Sequence, residues 1–199
     1  MSDKQYILGA DPGKHGAVVL LSVEYNKNAI FTDDLILYPT KKNKDGDIDV
    51  WDMVRFLSEY KDRIVSCTME QVHAFGVGKA SAQATFGFGH AAGVLFAVLS
   101  SFSYSTGKKI PLVQVTPSKW QSFIWKPEHI VWEQGNTGGS FSRRKKDTKA
   151  TSSNAAHSIF PGVSFVPTKR ATKEHDGCID AALIAYCGLL HYKKIISLD

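Results

Sequence analysis

Two β-type runs that each end in an acid constrain this chain more than any other feature. YILGAD (6–11) closes on Asp11 and passes directly into the turn DPGKHG, and IVSCTME (64–70) closes on Glu70. The residues around them set the order of elements. YILGA and AVVLLSVEY flank a Gly/Pro turn and read as a hairpin. AIFTDDLILYPT (29–40) reads as a third strand, and KKNKDGD (41–47) as a polar loop. From Asp49 to Arg63 the apolar residues Val50, Met53, Val54, Phe56, Leu57 and Tyr60 recur at helical spacing. A glycine-containing loop, VHAFGVGKAS, follows Glu70, then a long small-residue helix from about Ala80 to Ser103. IPLVQV (110–115) is another strand. Thr116 as N-cap and Pro117 at the first helical position begin the next helix.

The last third is less regular. Residues around 126–145 have no clear period and read as a basic, mobile loop. DTKATSSNAAHSIF reads as a helix, and FPGVSFVPTKRATKEH as a connector. HDGCIDAALIAYCGLLHY is the last strong helix, with Ile179, Ala182, Leu183, Tyr186 and Leu190 on one apolar face.

The order β-β-β-α-β-α-β-α-loop-α-α predicts an α/β fold with a five-stranded mixed sheet, three strands antiparallel and two parallel, flanked by helices. The first three strands form a meander, and the later two arrive through helices and so lie parallel to the first. If the fourth strand pairs with the free side of the first, the winding reverses there. The carboxyl ends of those two strands then form the switch point at which open α/β sheets place their sites. Asp11 and Glu70 occupy those ends.

Composition narrows the function classes. At 199 residues the chain fits one domain, and 43% hydrophobic residues suffice for a core. Lys and Arg number 24 against 19 Asp and Glu, a net charge of +5 that permits a polyanionic partner. The three cysteines, Cys67, Cys178 and Cys187, are odd in number and far apart, with no CxxC pair. They suggest neither a disulfide framework nor a zinc cluster, and fit a reducing, intracellular compartment. MSDKQY carries no signal-peptide apolar region. The densest apolar run, AAGVLFAVLS (91–100), is shorter than a membrane span, so no membrane partner is expected.

The chemistry-bearing candidates are acids. Asp11, with Gly13 and Gly16 allowing close backbone approach, is a candidate ligand for a metal or phosphate; taken alone, an ordinary Asp-Pro-Gly turn explains it better, because that turn is common. Glu70 is either a second ligand beside it or a solvated acid at a strand exit. Asp176 and Asp180, four apart, share a helix face. A cation between them or the helix dipole accounts for both, and Asp180 stands at the start of a buried stripe, which favours the cation. His175 reads as ligand, general base or cap. Carboxylates converging at strand and helix ends form a hard-cation site, and such a site cuts phosphodiesters.

A second set is basic. Arg143, Arg144, Lys145 and Lys146 form one run; Lys79 and Lys119 lie on other segments. If these segments bracket the acids they track a phosphate backbone; otherwise they are solvated charges. Phe75, in the loop after Glu70, is either a wedge that unstacks bases or a small hydrophobic anchor.

ILGADPGKHGAVVL, TMEQV and HDGCIDAALIAYC, in that order, resemble the RuvC-type Holliday-junction resolvases, most closely their phage branch, within the ribonuclease H-like superfamily. LVQVTPSKWQ and a helix with Gln83, His90 and Gly93 lie between. The resemblance runs from about Tyr6 to Tyr192. It implies a single ribonuclease H-like nuclease domain over 1–199 that resolves four-way junctions and related branched DNA by paired nicks leaving 5′-phosphate and 3′-hydroxyl. It implies two Mg²⁺ per active site, with Mn²⁺ substituting, held by Asp11, Glu70, Asp180 and a fourth residue. The bacterial pattern has its late aspartates three apart, where this chain has Gly177; Asp176 is the substitute and His175 the fallback. Lys149 aligns loosely with a phosphate-contacting lysine. The resemblance also implies a homodimer, with the helix around 80–103 as candidate surface. The rival readings are a related nuclease acting on flaps or RNA–DNA hybrids, and a non-catalytic branched-DNA-binding module.

Overall fold

The computed structural model describes residues 4–13, 15–28, 34–72, 81–105, 107, 109–133, 145–168 and 171–198. Strands β1 (Tyr6–Asp11), β2 (Ala17–Ser22), β3 (Leu35–Pro39), β4 (Ile64–Glu70) and β5 (Leu112–Val115) form one sheet in the order β3-β2-β1-β4-β5. β2 pairs antiparallel with both β1 and β3, while β4 pairs parallel with both β1 and β5. The sheet is therefore the mixed one that the element order predicts, and β1 lies at the reversal of winding.

Strand alternation distributes the side chains into two cores. Tyr6, Leu8 and Ala10 of β1 and Val18 and Leu20 of β2 pack with α1 (Val50–Tyr60) and α2 (Ala82–Ser105). Ile7 of β1 and Ala17, Val19 and Leu21 of β2 face the opposite core. That core is built from α3 (Pro117–Ile124), α4 (Thr148–Ile159) and α5 (Asp176–Tyr192). Helix starts follow the sequence signals. Thr116 caps α3 through the Lys119 N–H with Pro117 in its first turn, and Asp147 caps α4 through the Ala150 N–H. Cys67, Cys178 and Cys187 are buried free thiols.

Three segments differ from the sequence expectation. β3 starts at Leu35, and residues 29–33 lie outside the described residues. The polar stretch at 41–47 is held as a small hairpin: Lys42 bridges Ile48, Asn43 Oδ1 accepts from the Asp45 and Asp47 N–H groups, and Gly46 takes φ +89°. The irregular segment after α3 has ordered ends, a 3₁₀ turn at Pro127–His129 and a bridge between Trp132 and Lys146; residues 134–144 lie outside the described residues. In addition, α2 is longer than the apolar run at its centre. Ala82–Phe102 is long and apolar enough to cross a membrane by length and composition, which corrects the expectation drawn from 91–100 alone. Leu95, Val98, Leu99 and Phe102 pack it on the sheet.

The contact that aligns the sheet with its site is α5 on β1. A Cβ at Gly9 would overlap the Ala181 carbonyl oxygen and lie 2.7 Å from Ala185 Cα. One at Gly188 would overlap the Thr68 hydroxyl, and one at Gly177 the His15 carbonyl oxygen. The helix thus touches β1 backbone to backbone at Gly9 and packs Gly188 onto the Thr68 and Ile7 side chains. It runs antiparallel to β1, which puts its N-terminus at the carboxyl end of that strand. Gly9→Ala is expected to destabilise the fold by about 3 kcal/mol, since backbone atoms rather than a flexible side chain oppose the added methyl. Gly89→Ala, where a Cβ meets nothing within 4 Å, should stabilise α2 by roughly 0.5–1 kcal/mol. Denaturant unfolding of both checks this, and equal midpoints would show that the α5–β1 approach is not limiting.

Candidate active site

Strand parity aims two acids at one spot. Gly9 pairs with Thr68 in the β1–β4 register. Two residues further along each strand, on the face covered by α5, stand Asp11 and Glu70. Asp180 reaches the same place from α5, one turn beyond Gly177. The three carboxyls interact. Burial, then the Asp180 charge, pushes Asp11 up to about 8, with Glu70 adding to the rise and the Gly13 N–H opposing it. Burial pushes Glu70 up to about 7, opposed by a hydrogen bond from Trp120 and raised further by Asp180. Burial raises Asp180 to about 6, opposed by a hydrogen bond with Ser152. Each keeps partial solvent access, so the group can be reached from solvent at this end of the sheet.

Each acid has a positioning contact. The Gly13 N–H donates to Asp11 Oδ1 at 2.9 Å, which makes the Asp-Pro-Gly turn and the acid site one feature. Trp120 Nε1 donates to Glu70 Oε2 at 2.7 Å; the indole is buried and meets Trp125 edge-on at 5.8 Å. Ser152 of α4 is buried against Asp180. Trp120 and Ser152 do not stand out in the sequence. The one available signal for Trp120 was that a buried indole N–H requires an acceptor.

The fourth acid stands apart. Asp176 is exposed and its Oδ2 takes the Lys149 ammonium at 2.6 Å, with side chains 55% and 77% accessible. Lys149 also lowers the Asp180 pKa, and Asp176 raises it, so this pair borders the cleft. His175 is the N-cap of α5: its Nδ1 accepts from the Cys178 N–H at 3.2 Å. Burial and neighbouring His15 lower its pKa, so it caps as a neutral imidazole. The contact that excludes a side chain at 177 also explains why no acid occupies that position.

The basic candidates divide. Lys145 pairs with Glu133 at 2.7 Å, and Lys146 Nζ lies 5.0 Å from the Trp125 ring centroid. Lys119 is partly buried and its charge is felt by Cys187. Phe75, Lys79, Arg143 and Arg144 lie outside the described residues.

The donors at the acid cluster are all oxygens, the ligand type hard cations take. Asp180 Oδ1 is buried and has no hydrogen-bond partner among the described residues, a costly state that a cation would relieve. Yet no three His, Cys, Asp or Glu side chains among the described residues form a group that could hold a metal ion. Mg²⁺ usually keeps several waters and takes one or two carboxylates. The donor set therefore fits a hydrated hard cation, while a closed protein cage is not formed.

Sheet order, helix placement and the acid-bearing strand ends together define a ribonuclease H-like fold. The sequence matches no family model and no curated protein. Among solved structures, the chain is similar to Thermus thermophilus RuvC in complex with a Holliday-junction substrate, at 12% identity and TM-score 0.56, covering 98% of each chain. A second Thermus thermophilus RuvC structure aligns at 14% identity and TM-score 0.49 over 96% of this chain and 97% of that one.

Unfolded carboxyls titrate near 4. Folded values raised to about 8, 7 and 6 mean that these groups contribute stability at low pH and lose it as pH rises through that range. Melting in EDTA should therefore occur several degrees lower at about pH 8.5 than at about pH 6, and millimolar Mg²⁺ should raise the melting point more at the higher pH. An equal metal effect at both pH values would separate the acids from cation binding. Trp120→Phe removes a contact that lowers the Glu70 pKa, so metal affinity measured by calorimetry near pH 7 should fall roughly 10- to 100-fold; unchanged affinity would show that the indole does not position Glu70.

Proposed function

We propose that this chain is a metal-dependent, structure-selective DNA endonuclease that resolves four-way junctions and related branched DNA. The proposal includes paired nicks leaving 5′-phosphate and 3′-hydroxyl, and, on the resemblance of its motifs alone, the phage branch of the RuvC-type enzymes. The observation that supports it is that Asp11 and Glu70 stand at the switch-point ends of β1 and β4, each raised by the charge of Asp180 from α5. Support also comes from the likeness in fold to a RuvC held with a Holliday junction and from the net charge of +5.

In this reading Asp11, Glu70 and Asp180 hold the metal, two Mg²⁺ per site with Mn²⁺ substituting, and Asp176 completes the set from the rim. Bound there, the metal supplies Lewis-acid stabilisation of phosphoryl charge and a more acidic water. Trp120, Ser152 and the Gly13 N–H fix the carboxylates in the orientation that binding requires. Lys149 shields Asp176 and offers an ammonium to a phosphate at the cleft edge. Lys119, Lys145 and Lys146, with Phe75, Lys79, Arg143 and Arg144, contact the arms, mainly through phosphates. A homodimer places two sites on one junction; the exposed stripe Gly93, Phe96, Ala97 and Tyr104 on α2 supports that surface.

The open arrangement of the acids favours one alternative, a branched-DNA-binding module without catalysis. Asp11→Asn and Glu70→Gln separate the two readings. Cutting of a four-way junction in Mg²⁺ should fall roughly a hundred-fold or more, while junction binding in Ca²⁺ persists. Flap, RNA–DNA hybrid and linear duplex run beside the junction define the substrate class. A wild-type chain that binds junctions in Mg²⁺ and never nicks them would leave only the binding module.

A further inference from the structure

A cavity of about 430 Å³ opens at the same end of the sheet as the acids, on the opposite face, between the first half of α2 and the small hairpin at 42–48. His15, in the turn that leaves Asp11, lines it, and the carbonyl of that same residue lies against Gly177 at the head of α5. The cavity and the acid cleft thus share one turn.

Its walls are of two kinds. Ala84, Gly87 and Ala91, at spacings of three and four on α2, present a flat surface without bulky side chains, beside Phe88. At Gly87 an added Cβ would meet nothing within 4 Å. The rim is polar: Lys42, Asp47, His15 and His90, with His90 Nδ1 3.5 Å from Asp47 Oδ1. The hairpin wall is preorganised, since Asn43 Oδ1 accepts from the Asp47 N–H at 3.0 Å and the Asp49 N–H closes onto the Lys41 carbonyl at 2.9 Å. Behind it, Asp52 takes the Lys41 ammonium at 2.9 Å and the Tyr38 hydroxyl at 2.7 Å. The size lies within the ordinary range of small-ligand sites.

We propose that this cavity receives one unstacked nucleobase of the strand whose phosphate lies at the acid cleft. The inference rests on the nuclease reading above and names a subsite for it. A nucleobase has two apolar faces and a polar edge, and the cavity offers an apolar wall with donors and an acceptor at its mouth. A base leaving the stack at a branch point costs least where pairing is already interrupted, so the subsite selects branched over linear DNA and reads the identity of one base near the cut. The site lies apart from the Gly93–Tyr104 stripe further along α2.

The probe is a four-way junction carrying 2-aminopurine at each nucleotide flanking the crossover in turn, bound at saturating protein in Ca²⁺. Expected is a several-fold fluorescence rise at one position with the wild-type chain and with Gly87→Ala. That rise should be abolished by Gly87→Leu, whose side chain fills the cavity, with no loss in melting temperature because the position is open and the residue favours helix. In Mg²⁺, Gly87→Leu should also lose base preference at the nick. A fluorescence rise that survives Gly87→Leu, or no rise at any position in the wild type, overturns the subsite while the nuclease reading stands on its own cleavage result. Failure of the wild type to bind any branched DNA overturns both.

Discussion

The approach of α5 to β1 is the constraint on which the rest depends. At Gly9 the backbones of strand and helix meet, while Gly188 leaves room for the Thr68 and Ile7 side chains and Gly177 for the His15 carbonyl. Asp180 can reach the ends of β1 and β4 only because of that contact. An alanine at Gly9 would push α5 outward and separate the acids as it did so. Fold stability and the geometry of the cleft are thus set by one interface, in which the energy of close packing is used to hold like charges together.

Those charges oppose the fold. Three carboxyls are raised well above their ordinary values by burial and by one another, and Asp180 keeps a buried oxygen without a partner. A chain selected for stability alone would place apolar residues there. Trp120, Ser152 and the Gly13 N–H offset part of the cost, each favouring the charged form of one acid, and Lys149 contributes from the rim. The cleft is therefore an electrostatic frustration held in place by the two cores on either side of the sheet. The β1–β2 turn carries this arrangement across the top of the sheet, where His15 borders the cavity on the α2 side.

How much of this was legible in the sequence follows from the range of each interaction. The short apolar, β-rich runs YILGA and AVVLLS around a Gly/Pro turn, helical spacing from Val50 to Tyr60, and the Thr116–Pro117 start are local, and the elements form where they say. Element order placed Asp11 and Glu70 at the ends of parallel strands, but left open which side of the sheet β4 joins; the β1–β4 pairing is settled by the fold. His175 was left open between ligand, base and cap, and the cap is what a local hydrogen bond to the Cys178 N–H shows. The helix expected over about 80–103 forms as α2; what the densest run at 91–100 did not show is that the apolar character continues past the glycines at 87, 89 and 93, over Ala82–Phe102.

The sequence by itself determined the elements, their order and the two acids at strand ends, since periodicity and turn chemistry act over a few residues and are written in consecutive letters. Tertiary structure alone decided that Trp120 supports Glu70 across 50 positions of chain, that Ser152 supports Asp180, and that Asp176 pairs with Lys149 at the rim while Asp180 joins Asp11. It also decided the cavity beside His15. These are contacts between side chains distant along the chain, and their partners are chosen by how closely backbones approach, a quantity that no local pattern encodes.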